Sequence, residues 1–242
     1  MDFLISVAAW VTDPARWQGS DGIPVRVLEH TQLSGVSLAV ALGIALPIGL
    51  LVGHSDRGGF LVLNLANIGR ALPSLAILGL ALPFTIQATG QLDFWPTFVA
   101  LVVLAIPPIL TNTYIGIREV DRDTVEVARG MGMRGSEVLR RVELPIALPV
   151  VLGGLRTAAV QVVATATLGA FVAGGGLGRY IIDGIALQET ERIFVGASLV
   201  AALALATEGV LGWLERRAVS PGLRTQLEPM VGLGAAAGAT SR

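Results

Sequence analysis

Five stretches of this chain are long enough and apolar enough to cross a lipid bilayer: Gln32 to Gly53, Phe60 to Phe84, Trp95 to Ile117, Ala147 to Ala173 and Ile193 to Leu214. A hydrocarbon core about 30 Å thick takes ~20 apolar residues of helix, and every run meets that length. Apolarity within the runs is continuous rather than alternating with period two. That pattern argues for helices and against an outer-membrane barrel, whose strands alternate lipid-facing and lumen-facing residues. Composition agrees, because 53% hydrophobic and 14% charged residues with a mean hydropathy of +0.70 exceed what a soluble domain can hydrate. The sequence predicts an all-α integral membrane protein with five transmembrane helices and its termini on opposite sides.

Charge sets the orientation. All 17 basic residues are arginine. Eleven of them fall in the loop 54–59, the loop 118–146 and the segment after Leu214, against Arg16, Arg26, Arg179 and Arg192 on the other side. The positive-inside rule places the 118–146 loop and the C-terminus in the cytoplasm and the N-terminus outside. The expected organisation is an extracytoplasmic N-terminal segment (1–31), a transmembrane domain (32–217) carrying the cytoplasmic loop 118–146, and a Gly- and Ala-rich tail (218–242) expected to be disordered. The opening MDFLISVAAWVTDP carries Asp2 where a signal peptide would be basic and lacks a small-residue cleavage site, so it reads as retained. Phe3, Trp10 and Trp17 leave it two options, a helix lying on the membrane surface or a loosely ordered tail.

Several function classes drop out. A net charge of -1 offers no basic field for nucleic acid. With no cysteine there is no thiolate chemistry and no Cys-based metal site, and two histidines, His30 and His54, read as interfacial loop residues rather than ligands. The run Gly174, Gly175, Gly176, Leu177, Gly178 is not followed by Lys-Ser/Thr, so it is not a phosphate loop; it reads as a flexible outer hairpin able to meet a partner, or as an ordinary turn. No catalytic set, cofactor site or metal cluster is expected in the chain.

The charged island EVARGMGMRGSEVLRRVELP, residues 126 to 145, interrupts this apolar sequence. Asp123 three residues ahead of Glu126 resembles a capping box, which predicts a helix from Thr124 with Val125, Ala128 and Met131 along one face. Gly132 can end that helix in a left-handed conformation, Ser136 can cap a second one over Glu137 to Leu144, and Pro145 and Pro149 then stop it and restart the chain as a span. Two helices this short need a surface to pack on, such as a partner protein. The other local reading is a solvated loop in which six arginines balance six acids.

Glu126, Ala128, Gly132, Leu144 and Pro145 match, at the same spacing, the cytoplasmic loop of importer-type ABC permeases, with Val127 and Val142 in place of that family's alanine and isoleucine. GRALPSLAILGLALPF (Gly69 to Phe84) and GLRTAAVQVVATATLGAFVAGGGLGRYIIDGI (Gly154 to Ile185) resemble the branch that imports glycine betaine, choline and carnitine. The resemblance implies a type I importer fold like that of methionine permeases, and residence in a prokaryotic plasma membrane. It also implies a second permease subunit, two cytoplasmic ATPases that bind ATP and Mg, and an extracytoplasmic substrate-binding protein. The loop would dock on an ATPase, and transport would proceed by alternating access.

Charged and polar groups within the spans cost several kcal/mol unless paired or hydrated, which singles out Arg70, Arg156 and Glu208. Arg156 and Glu208 are placed at similar depth by the 1.5 Å rise of a helix, so they are expected to form a helix–helix ion pair, with snorkelling of Glu208 as the other option. Asn67, Arg70 and Ser74 share one face of a single kinked helix and either line a pathway or act as interhelical glue. Gln161, Thr157, Thr165 and Thr167, with Gly153, Gly154 and Gly169, point to close helix packing on the fourth span. Two other functions fit the same sequence: an ion-driven carrier, for which Glu208 is the only candidate carboxylate, and a membrane scaffold that moves nothing.

Overall fold

A computed structural model of the protein describes residues 2–219, and every regular element among them is helical. The tail read over 218–242 lies, apart from its first two residues, outside the described residues. Helix α1 (Asp2–Thr12) and a short 3-10 turn (Pro14–Trp17) precede α2 (Ile23–Ser55); α3 (Gly59–Ala71) and α4 (Ser74–Thr89) follow, then α5 (Trp95–Arg118). The charged loop contains α6 (Arg122–Gly130) and α7 (Gly135–Val138). A π-turn (Leu139–Glu143) leads into α8 (Leu144–Thr165), which ends in a 3-10 segment (Ala166–Val172) before α9 (Gly178–Leu187) and α10 (Thr190–Ala218). Four helical units are long and apolar enough to cross a membrane, and the count is five when the bent pair α3–α4 is taken as one span.

Helix α5 is the axis of the bundle, with α2, α3, α4 and α8 packed around it. Helix α2 reaches it through a stripe of small residues at every fourth position, Ala41, Ala45, Gly49 and Gly53, all buried. A Cβ at Gly49 would lie 2.7 Å from Thr113 Cβ, and one at Gly53 would lie 2.8 Å from Ile117 Cβ, so these two backbones meet only because the side chains are missing. Gly154 of α8 and Gly169 play the same part against Pro108 and Thr97 of α5, whereas Gly153 has open space around it. Close helix approach on the fourth span is therefore carried by two of the three glycines expected for it.

Four expectations change. At 33 residues, α2 spans roughly 50 Å and begins nine residues before its apolar run, so the boundary at residue 31 cuts through a helix. His30 and His54 are accordingly helical, in the body and the last turn of α2, and neither is a loop residue. The kink expected at Pro73 is a 95° break: Leu72 is extended, as a residue before proline must tend to be, and the ring denies α4 a continuing N–H. Ser74 therefore opens α4 and does not share a helix face with Asn67 and Arg70. The N-terminal segment is a helix docked on α9 and α10, with Phe3 edge-on to Phe194 of α10 at 5.5 Å and Trp10 edge-on to Tyr180 of α9 at 5.6 Å.

Candidate functional site

The 118–146 loop forms one end of the bundle. Asp121, not Asp123, caps α6: its carboxylate accepts from Asp123 N at 3.2 Å and from Thr124 Oγ1 at 3.1 Å, so the helix starts at Arg122. Its far end is a Schellman motif. Gly132, with φ +87°, donates from its N–H to Arg129 O at 2.9 Å, and Met133 N donates to Ala128 O at 3.2 Å. The faces of α6 divide unlike the expected stripe. Ala128 is buried and Val125 packs on the Ile117, Val120, Ala147 and Val151 cluster, but Met131 at the C-cap is 69% exposed and Val127 61% exposed. An outward groove of about 360 Å³ runs beside them, between α6 and Val142.

The second helix of the loop starts at Gly135, two residues earlier than expected. Arg134 holds the N-cap position, and Glu137 Oε2 accepts from Arg134 N at 3.0 Å, leaving Ser136 exposed inside the first turn. Nor does the helix stop at the prolines. It passes through the π-turn, in which Leu144 N donates to Leu139 O, and continues as a rod over Gly135–Val172. Pro145 falls in the first turn of α8, where the wide turn before it absorbs the missing N–H; Leu144 is half-buried and Pro145 exposed. The loop is thus one capped helix, a glycine-terminated corner, and a second helix that is the membrane rod itself.

Buried charge marks the base of this rod. Glu143 is only 5% exposed, and its Oε2 accepts from Nδ1 of His54 at 2.6 Å. A polar cavity of about 180 Å³ adjoins the pair, walled by Arg118, Arg122, Glu126 and Arg129 together with Asp56, which is 2.7 Å from Arg118. Glu126 is exposed at its rim. The sequence carried no local sign of His54–Glu143, since the partners are 89 residues apart.

At the other end, the glycine run is pinned. Glu29 Oε2 accepts from Gly176 N at 2.8 Å and from Arg26 Nη1 at 2.8 Å, and Arg26 also pairs with Asp21. His30, fully enclosed, accepts at Nδ1 from Leu177 N at 3.3 Å, which leaves its Nε2–H to donate to Val163 O at 2.8 Å. Tyr180 donates its hydroxyl proton to Asp21 O at 2.7 Å, and burial pushes that hydroxyl above the ordinary tyrosine range. Neither a flexible hairpin nor a plain turn describes Gly174 to Gly178.

Within the membrane region Arg156 Nε lies 3.3 Å from Glu208 Oε1, the pair expected from sequence, and Arg156 Nη1 lies 3.2 Å from Glu215 Oε2, which the sequence reading missed. Asn67, Arg70 and Gln161 are exposed on the surface of the chain. Gly69, next to Arg70, abuts Pro107 near the middle of α5, which sets Arg70 level with the centre of that helix. Among the described residues no cluster of three or more His, Asp or Glu could hold a metal ion.

Comparison with known proteins bears on this arrangement. The profile of the family described as binding-protein-dependent transport system inner membrane component matches residues 45–220. The chain is 37% identical over 200 residues to the glycine betaine/carnitine/choline transport system permease protein OpuCB of Bacillus subtilis, covering 83% of this chain and 90% of that protein. It is 37% identical over 199 residues to the choline transport system permease protein OpuBB of the same organism, with 82% and 89% covered. A carnitine transport permease protein OpuCB of Listeria monocytogenes is 36% identical over 204 residues, with 84% and 91% covered. Among solved structures, a chain of the MetNI methionine ABC transporter in an inward-facing conformation superposes with a TM-score of 0.75 at 24% identity, covering 86% of this chain and 100% of that one. The fold expected from sequence, that of a methionine-type importer permease, is the fold observed.

Proposed function

Because the chain belongs to the family of binding-protein-dependent transport system inner-membrane components, we propose that it forms the solute path of an ATP-driven osmoprotectant importer, carrying glycine betaine, choline, carnitine or a related small solute. The family assigns the chain the role of a permease subunit in a bacterial membrane, working with a separate ATPase and a substrate-binding protein. Two permease subunits, identical or paralogous, and two ATPases complete the assembly in this reading, with ATP and Mg bound on the ATPases. The 118–146 loop and the C-terminus face the cytoplasm and the N-terminus faces outward, in line with the arginine distribution.

One observation carries the coupling role: Val127 and the C-cap Met131 stand bare on the exposed, otherwise polar face of α6, beside a groove, at the corner that joins a 38-residue rod. Apolar side chains so placed lose free energy in water and regain it against a partner's surface. Glu126, Ala128 and Gly132 hold the corner, Ser136 lies on its second limb, and Leu144 and Pro145 join it to α8. Closure of the ATPase pair on binding ATP moves this corner, and the rod transmits the motion to the membrane helices in an alternating-access cycle. Asn67, Arg70 and Gln161 line the path or the permease–permease contact, because an exposed polar face at mid-membrane depth is costly against lipid. Ser74 sits at the break beside them, and Arg156 and Glu208 brace α8 against α10.

The test is reconstitution of the permease with its ATPase in liposomes supplied with the binding protein. Expected is ATP-dependent uptake of at least one of the three labelled solutes, and loss of ATPase co-purification in a Val127→Asp/Met131→Asp variant. Uptake driven by an ion gradient without ATP would overturn the reading.

A further inference from the structure

The contact between His54 and Glu143 has the attributes of a transmission joint. A carboxylate as deeply buried as Glu143 is costly unless a partner compensates it, and removing that partner strands a buried charge. The partner is on another helix: His54 closes the last turn of α2, while Glu143 is the final residue of the π-turn through which the loop enters α8. The same ring also touches the start of the loop's second helix, where a Cβ on Gly135 would lie 3.2 Å from Nε2. One imidazole therefore contacts both ends of the segment 135–143. The residue before it, Gly53, is pressed against Ile117, so any displacement of His54 is felt by α2 and α5 together.

We propose that His54 and Glu143 are positioning residues of the transport cycle, giving the loop a second output: backbone continuity moves α5 and α8, which flank it, and the Nδ1–H···Oε2 bond moves α2. This rests on the coupling role assigned above to the 118–146 loop. The two outputs differ in kind. The rod is covalent and cannot be disengaged, whereas the histidine bond is a single contact that a one-residue change removes. A loop joined by backbone alone would move α5 and α8; with the histidine contact it also carries α2, which packs on both.

The experiment measures solute moved per ATP hydrolysed in the complete reconstituted importer, with subunit stoichiometry and thermal unfolding recorded for each variant. His54→Ala is expected to lower that ratio at least fivefold while the subunits remain assembled. His54→Asn, whose Nδ2 overlays the histidine Nδ1, is expected to restore most of it; His54→Gln, which sends its amide toward Gly135 instead, is not. The double variant His54→Ala/Glu143→Ala is expected to be no worse than the poorer single variant, the mark of one shared contact. A wild-type ratio in His54→Ala, or equal losses in His54→Asn and His54→Gln, overturns the joint while leaving the importer reading intact. If His54→Ala does not assemble, the Asn and Gln pair decides alone. Absence of ATP-dependent uptake by the wild-type complex would overturn the importer reading itself, and the joint with it.

Discussion

Helix α2 carries both histidines of the chain, roughly 36 Å apart along its axis, and each ties it to the α8 region at opposite ends of the bundle. At one end, His30 is enclosed and bonds to two main-chain groups, Val163 O and Leu177 N, beside a glycine run also held by Glu29. At the other, His54 bonds to a side chain at the root of a loop that leaves Val127 and Met131 uncovered. Main-chain partners cannot change rotamer, so the first end is fixed within the chain. Side-chain partners can, so the second end is adjustable, and it presents uncovered apolar groups on its loop. The two ends teach that rigidity and responsiveness can be assigned to opposite termini of one helix.

That contrast can be broken most sharply at His30. Replacing it with alanine orphans the enclosed Leu177 N–H and opens a cavity, which costs about 2–4 kcal/mol. The detergent-solubilised protein should unfold several degrees lower, whereas His54→Asn, which keeps a donor for the Glu143 carboxylate, should shift it much less; equal shifts would erase the distinction between the ends. Next in size, Gly132→Val places a β-branched residue at φ +87°, at a cost of about 1–2 kcal/mol. Faster amide exchange at Met133, together with weaker substrate-stimulated ATPase, is expected, and unchanged exchange would mean that the corner is not fixed by its glycine. Asp121→Ala removes the cap of α6 at a cost of about 1 kcal/mol and should speed exchange at Asp123 without touching the glycine-run end. Smallest is Glu208→Gln, worth no more than about 1 kcal/mol in a pair this exposed, because Arg156 keeps Glu215. A loss greater than that from Glu208→Gln alone would show that Glu215 does not share the load.

Much of the architecture was legible because lipid imposes composition: the apolar runs locate α2, α5, α8 and α10 whatever their neighbours are. The Arg156–Glu208 pair was legible for the same reason, since two opposite charges at one depth have little else to do. Glu215 was missed because it lies one residue beyond the apolar run ending at Leu214, where hydropathy no longer flags a charge. Hydropathy also placed His30 and His54 outside the spans, although helix α2 runs past its apolar stretch at both ends. The severity of the break at Pro73 was not legible, because a proline marks a kink without fixing its angle. Capping failed by two residues twice, at Asp121 and at Arg134. In the first case two aspartates competed; in the second a glutamate at 137 reached back to a residue that propensity alone would not choose. In the loop, Gly132 was readable because a positive φ admits few residues, whereas the fusion of the second helix to α8 was not, because prolines usually interrupt.

The wide turn at Leu139–Glu143 has a consequence for length variation. It fits about one residue more into a circuit than ordinary winding does, so tightening it at constant chain length would swing Ser136 and Glu137 round the axis by close to 100°. Removing a single amino acid from the turn would instead leave those two residues on nearly the same azimuth. Shortening this segment by one is therefore gentler than straightening it, an inversion of the usual rule that deletions inside helices scramble the faces beyond them.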